Sequence, residues 1–171
     1  MKSRLRTENH KSRSGLRSCH GQYMVEVATV LPLLLLLTFA IIDFSTLFYV
    51  YLSLENGISQ ATRYGITGQQ LSNPDPLVGG TLSRIDSIKL AMKQATPTLT
   101  FSASNPQFTF EHLVAGSWTA YGGTEDAKGN DVMRVTVLYH WDLMTPLIRP
   151  FFTGGGIDLR VTSSVKNEGF L

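Results

Sequence analysis

The 171 residues are 43% hydrophobic and 16% charged with a net charge of +2, a composition that suits one modest domain plus an anchor and excludes a disordered polyelectrolyte. Six basic residues stand against Glu8 alone in residues 1–20, while the remainder carries a net charge of −3. The pI near 8.8 therefore belongs to the leader, and with no basic stripe elsewhere, nucleic acid is not an expected partner. The single cysteine, Cys19, excludes an intrachain disulfide and a cysteine metal site, and the polar, basic run before it does not fit a lipidation signal.

The basic leader stops at Gly21, Glu26 follows five residues later, and Val27 to Ile42 carries no charge before Asp43. A hydrocarbon core of roughly 30 Å needs about 20 helical residues, and residues 22–42 supply them with Glu26 near one edge and Asp43 near the other. That placement keeps both carboxylates from the bilayer centre, where each costs about 2.5–3.5 kcal/mol. Tyr23 at one end and Phe44, Phe48, Tyr49 and Tyr51 at the other fit interfacial belts. Pro32 removes one backbone donor inside the run and is a place where the helix can kink. The charge asymmetry places the leader in the cytoplasm and residues 52–171 outside. Ordinary signal-peptide cleavage is not expected, because the apolar run is long and Asp43-Phe44-Ser45-Thr46-Leu47 offers no suitable site.

Leu54, Ile58 and Ala61 recur at helical spacing, so the first helix is expected to continue outward to about Tyr64. Gly65, Gly68, Ser72-Asn73-Pro74-Asp75-Pro76 and Gly79-Gly80 read as a linker. A second, amphipathic helix is expected over Thr81–Ala95, with Leu82, Ile85, Ile88, Met92 and Ala95 on its buried stripe. Beyond Pro97 the period changes to two. Strands are expected around Leu99–Phe101, Phe108–Phe110, Val135–Trp141 and Ile157–Val161, with Asn105-Pro106 turning between the first two. The fold class is thus α+β: a long amino-terminal transmembrane helix, an amphipathic helix and an antiparallel sheet of about four strands covered by helix on its apolar face. The stretch 116–131 reads as a solvated, mobile loop. Its Glu125, Asp126, Asn130 and Asp131 match no calcium-loop spacing.

Catalytic signals are missing. His10 and His20 lie in the leader, His112 and His140 are isolated, and no nucleophile elbow occurs. Thr153-Gly154-Gly155-Gly156 lacks the Lys-Ser/Thr of a phosphate loop. No enzyme activity, metal or cofactor is expected.

The run Gly21-Gln22-Tyr23-Met24-Val25-Glu26, with the Leu31-Pro32 step and the exit Asp43-Phe44-Ser45-Thr46-Leu47-Phe48-Tyr49, resembles the start of TadE-like pseudopilins. Those are minor pilin-like proteins of the tight-adherence (Flp, type IVb pilus) machinery. Leu54 to Tyr64 fits the pattern after the span, and Arg134 to Tyr139, Thr145-Pro146-Leu147 and Thr162 to Glu168 resemble the carboxyl half more loosely. The chain departs from the pattern with Asp at position 43 where Glu is common and Ser45 where Gly is frequent. The resemblance implies a pilin-like fold divided into a cytoplasmic leader (1–21), a transmembrane helix (22–51) and an exported domain (52–171). It implies a bacterial inner-membrane location. A prepilin peptidase would cut between Gly21 and Gln22, with Glu26 aiding recognition and pairing with a new α-amino group during assembly. Implied partners are that peptidase, other pilin-like or TadE-like subunits, the pilus assembly machinery and membrane lipid. The competing reading is a bitopic envelope protein with an uncleaved anchor and an exported binding domain.

Overall fold

A computed structural model describes residues 20–75, 79–121, 129–146 and 148–169. The leader with Cys19, Pro76 of the linker, and residues 122–128 of the expected loop lie outside the described residues. The described elements are α1 (His20–Ile66), α2 (Arg84–Ala95), β1 (Gln107–Val114), β2 (Ser117–Ala120), β3 (Val132–Asp142) and β4 (Gly156–Lys166). Two short 3₁₀ turns, Arg149–Phe151 and Thr153–Gly155, lie between β3 and β4. Two compact units divide at residues 38 and 39, with α1 contributing to both.

In the first unit α1 runs through Pro32 as helix, and its side chains from Tyr23 to Leu37 are exposed. Its hydroxyls bond back to the helix itself: Thr29 Oγ1 donates to the Val25 carbonyl at 2.6 Å and Thr38 Oγ1 to the Leu34 carbonyl at 2.8 Å. Such back-bonding leaves no hydroxyl proton unmatched in an apolar medium.

The second unit is a four-stranded antiparallel sheet in the order β2-β1-β3-β4, covered on one face by α2 and residues 50–61 of α1. The core follows the expected periods. Val50, Leu54, Ile58 and Ala61 step along α1, Ile88 and Met92 come from α2, and Met133, Val135, Val137 and Tyr139 alternate along β3. Thr109, Glu111, Arg134, Thr136, Arg160 and Thr162 share a polar hollow on the sheet. There Arg134 pairs with Glu111 at 2.7 Å and its guanidinium stacks 4.1 Å from the Trp118 ring.

Three expectations need correction. First, α2 begins at Arg84 rather than Thr81. Thr81 bridges Ser72, Leu82 N–H donates to the Leu71 carbonyl, and Ser83 Oγ accepts from Asp86 N–H at 3.1 Å as the cap. Lys89 and Ser83 hold the Asp86 carboxyl below its usual range, so that charge supports the cap at neutral pH and is lost on acidification. Second, residues 98–102 form no strand, although Leu99 is buried and Phe101 packs on the core. Asn105-Pro106, a cis peptide, precedes β1 instead of joining two strands. The Asn105 side chain takes the place of a neighbouring strand: His140 N–H donates to Oδ1 at 2.9 Å and Nδ2 donates to the His140 carbonyl at 2.8 Å. Third, the fourth strand is β2, inside the stretch read as loop. Val114 pairs with Ser117 across Ala115-Gly116, both with positive φ (47° and 85°), the geometry of a two-residue hairpin turn.

The helices approach closely at Gly57, where an added Cβ would stand 2.5 Å from Thr96 Cγ2. Thr96 is buried and its hydroxyl donates to the Met92 carbonyl at 2.8 Å, so that methyl has little room to yield. Gly57→Ala therefore loses stability by about 1–3 kcal/mol of overpacking, against at most ~1 kcal/mol of helix propensity regained. Denaturant unfolding in detergent checks this, and the penalty should vanish in a Thr96→Ser background.

Candidate processing and assembly site

The first turn of α1 contains no acidic residue to complement its positive end. Gly21 lies in that turn, and a Cβ built on it meets nothing within 4 Å. Packing among the described residues therefore does not require glycine at this position. Gln22 and Glu26 sit one helical turn apart, with Gln22 Nε2 donating to Glu26 Oε1 at 3.4 Å. Both side chains are exposed, so this hydrogen bond is long and open to the surroundings.

From Val27 onward α1 presents apolar side chains on all sides. Its most apolar 18-residue window has mean hydropathy 2.5 and no buried share, so this helix is long and apolar enough to cross a membrane. Leu31, Leu33, Leu34, Leu35, Leu36 and Leu37 are all exposed. The helix thus leaves its apolar side chains uncovered by the described residues, a surface suited to an apolar surround.

Asp43 has a different setting. Its side chain is only 4% exposed, and Thr145 N–H donates to both carboxylate oxygens at 3.3 Å. An acid that ends an apolar run is thereby given a backbone partner 102 residues away. Thr145 was visible in sequence only as part of Thr145-Pro146-Leu147, and no local pattern signals its pairing with Asp43.

Sequence reasoning also missed Arg84, which is 2% exposed. Its guanidinium donates to the Gly65 carbonyl and, at 3.0 Å, to Asn167 Oδ1. Asn167 N–H in turn donates to the Asp131 carbonyl, and Glu168 N–H to the Ile66 carbonyl. One arginine thus joins the end of α1, the start of α2 and the segment after β4. The signal available was a single arginine beside an apolar stripe, which reads as a solvated flank.

The histidines stand apart. His140 Nδ1 lies 2.6 Å from Asp158 Oδ1 and Nε2 lies 3.7 Å from Asp142 Oδ1, on the sheet's exposed side. The His112 ring tilts against Tyr121 at 4.5 Å. Burial, with Asp131 nearby, pushes the Tyr121 phenol up to about 12. Among the described residues no group of three or more His, Cys, Asp or Glu could hold a metal ion.

Residues 21–63 match the profile of the family described as TadE-like protein. No curated protein and no solved structure matches the chain significantly. The matched segment holds Gly21, Gln22, Glu26, Pro32 and Asp43 together with the whole apolar run. It links the chain to proteins of the tight-adherence pilus system.

Proposed function

We propose, from the match of residues 21–63 to the TadE-like family, that this chain is a minor pilin-like subunit that acts in assembly of a tight-adherence pilus or a related secretion apparatus. Helix α1 anchors it in the bacterial inner membrane with the leader in the cytoplasm and residues 52–171 exported. A prepilin peptidase cuts between Gly21 and Gln22. The mature subunit then packs its Leu31–Leu37 surface against other pilin-type helices and lipid. Its role is structural, without catalysis.

The observation that carries this reading is the pairing of an exposed, uncovered apolar helix with a carboxylate near its amino-terminal end. In a membrane, Glu26 needs a better partner than a 3.4 Å contact with Gln22. The free α-amino group produced by cleavage, on this or a neighbouring subunit, is such a partner. Gly21 supports the same reading, because it answers to no packing need among the described residues.

The test is Glu26→Ala in the native host. Surface pili and adherence fall to background while the amount of membrane-extracted protein stays level, because Glu26 supports no packing in the fold. Unchanged piliation would sink the assembly role. Glu26→Gln separates charge from shape and should behave like the alanine variant.

A further inference from the structure

We propose that the described residues of the connection between β3 and β4, 143–146 and 148–155, form a foot seated in the interfacial layer of the same bilayer that anchors α1. The inference rests on the membrane anchoring proposed above and adds a second point of lipid contact, from the folded unit itself.

The first ground is exposed apolar surface. Met144 is 61% exposed, Phe151 84% and Phe44 of α1 68%, with Phe48 and Phe152 also exposed. Large apolar side chains gathered at one end of a sheet mark an interaction surface. The second ground is position. Asp43, at the end of the charge-free run, accepts from Thr145 N–H and so fastens the connection to the turn of α1 expected at the bilayer edge. Between them lies a hollow of about 180 Å³, lined by Ala40, Leu47, Leu143, Ile148, Phe152 and Ile157. Ala40 in this lining belongs to the apolar run itself, so the hollow adjoins the end of that run.

The third ground is backbone chemistry. Irregular chain enters the interfacial layer more readily when many of its donors are already matched. Here Leu143 N–H donates to the Gly155 carbonyl, Ile148 to Thr145, Phe151 to Ile148, Phe152 to Arg149 and Gly155 to Phe152, all at 3.0–3.2 Å. Pro146 and Pro150 have no N–H to match. Arg149 Nε donates to the Leu143 carbonyl at 2.6 Å, and a Cβ added at Gly155 would stand 3.9 Å from the arginine stem. An exposed guanidinium among aromatic side chains suits the phosphate level of a bilayer, where basic groups reach out from apolar surroundings. Continuity with the spanning helix selects lipid as the occupant of this face rather than another protein.

The experiment uses the full chain in vesicles of phosphatidylethanolamine and phosphatidylglycerol. In a Cys19→Ser background, Phe151→Cys, Met144→Cys, Leu34→Cys and Thr119→Cys each carry an environment-sensitive fluorophore. Doxyl-labelled lipid and aqueous iodide serve as quenchers. At positions 151 and 144 the ratio of lipid to iodide quenching should exceed that at position 119 several-fold, with shallow doxyl groups more effective than deep ones. Position 34 should be quenched by deep doxyl groups. If position 34 responds to lipid while 151 and 144 respond to iodide, the foot is overturned and the anchor survives. Should position 34 also answer to iodide, anchoring fails and the foot falls with it. Nanodiscs holding one copy provide a further check: lipid quenching at 151 that is absent there, with shielding seen only at several copies per disc, would assign the face to another subunit and overturn the proposal.

Discussion

Arg84→Ala should lower the stability of the carboxyl-terminal unit by about 3 kcal/mol or more. The side chain is 2% exposed and donates to the Gly65 carbonyl and Asn167 Oδ1. Its removal takes the charged donor from two buried acceptors, at about 1–3 kcal/mol each, and leaves a cavity whose lining cannot fully close. A domain of this size has only about 5–15 kcal/mol of stability in total, so the variant sits near the edge of folding. Denaturant unfolding in detergent, followed by Trp118 and Trp141 fluorescence, reads the change as a lower midpoint with an unchanged slope. Arg84→Lys should recover only part of the loss, because a single ammonium cannot reproduce the planar fork that reaches two acceptors. In a double-mutant cycle with Asn167→Ala the two losses should be less than additive. A change within about 0.5 kcal/mol, the range of an ordinary surface substitution, would show that the three-way junction does not hold the unit together.

Gly21→Val should abolish leader removal without disturbing the fold. A peptidase must draw its substrate into extended backbone, and Gly21 lies in the first turn of α1, where helix hydrogen bonds are incomplete and no acidic side chain steadies the end. Glycine makes that opening easier by about 1 kcal/mol relative to alanine. A β-branched side chain both stiffens the backbone and adds bulk at the scissile bond. Among the described residues the space around position 21 is open, so the substitution meets no neighbour among them. Intact mass from the native host should give a chain beginning at Gln22 for the natural sequence and one retaining residues 1–21 for the variant. Cleavage of both at the same bond would remove glycine from the recognition; an uncut natural chain would remove the processing step altogether and favour a permanent anchor.

The parts of the fold that sequence made visible are those where one period persists. The charge-free run from Val27 to Ile42 needs no context to read as helix, and the alternation of Met133, Val135, Val137 and Tyr139 needs only one buried face. Short segments misled because alternation records burial and not pairing. Leu99 and Phe101 do pack on the core, yet their backbone joins no ladder, because Asn105 rather than a strand meets His140. Ser117–Ala120 pairs as a strand with little apolar content, and Gly116 was its one available signal: a turn residue two positions after Val114. For the candidate site, Gly21, Gln22 and Glu26 were legible through their spacing. The contacts of Asp43 with Thr145 and of Arg84 with Asn167 span 102 and 83 residues, and no local pattern encodes such distances.

The clamp of Asn105 on His140 has a consequence for crowding. Strand β3 extends past its last partner on β1, since Gln107 opposite Leu138 is where that pairing ends. Bare ladder positions of this kind are templates on which a second molecule can add a strand. An amide side chain already fills the slot at His140, donor to acceptor and acceptor to donor. A second copy meeting this edge is thereby denied one route to adding a strand to the sheet.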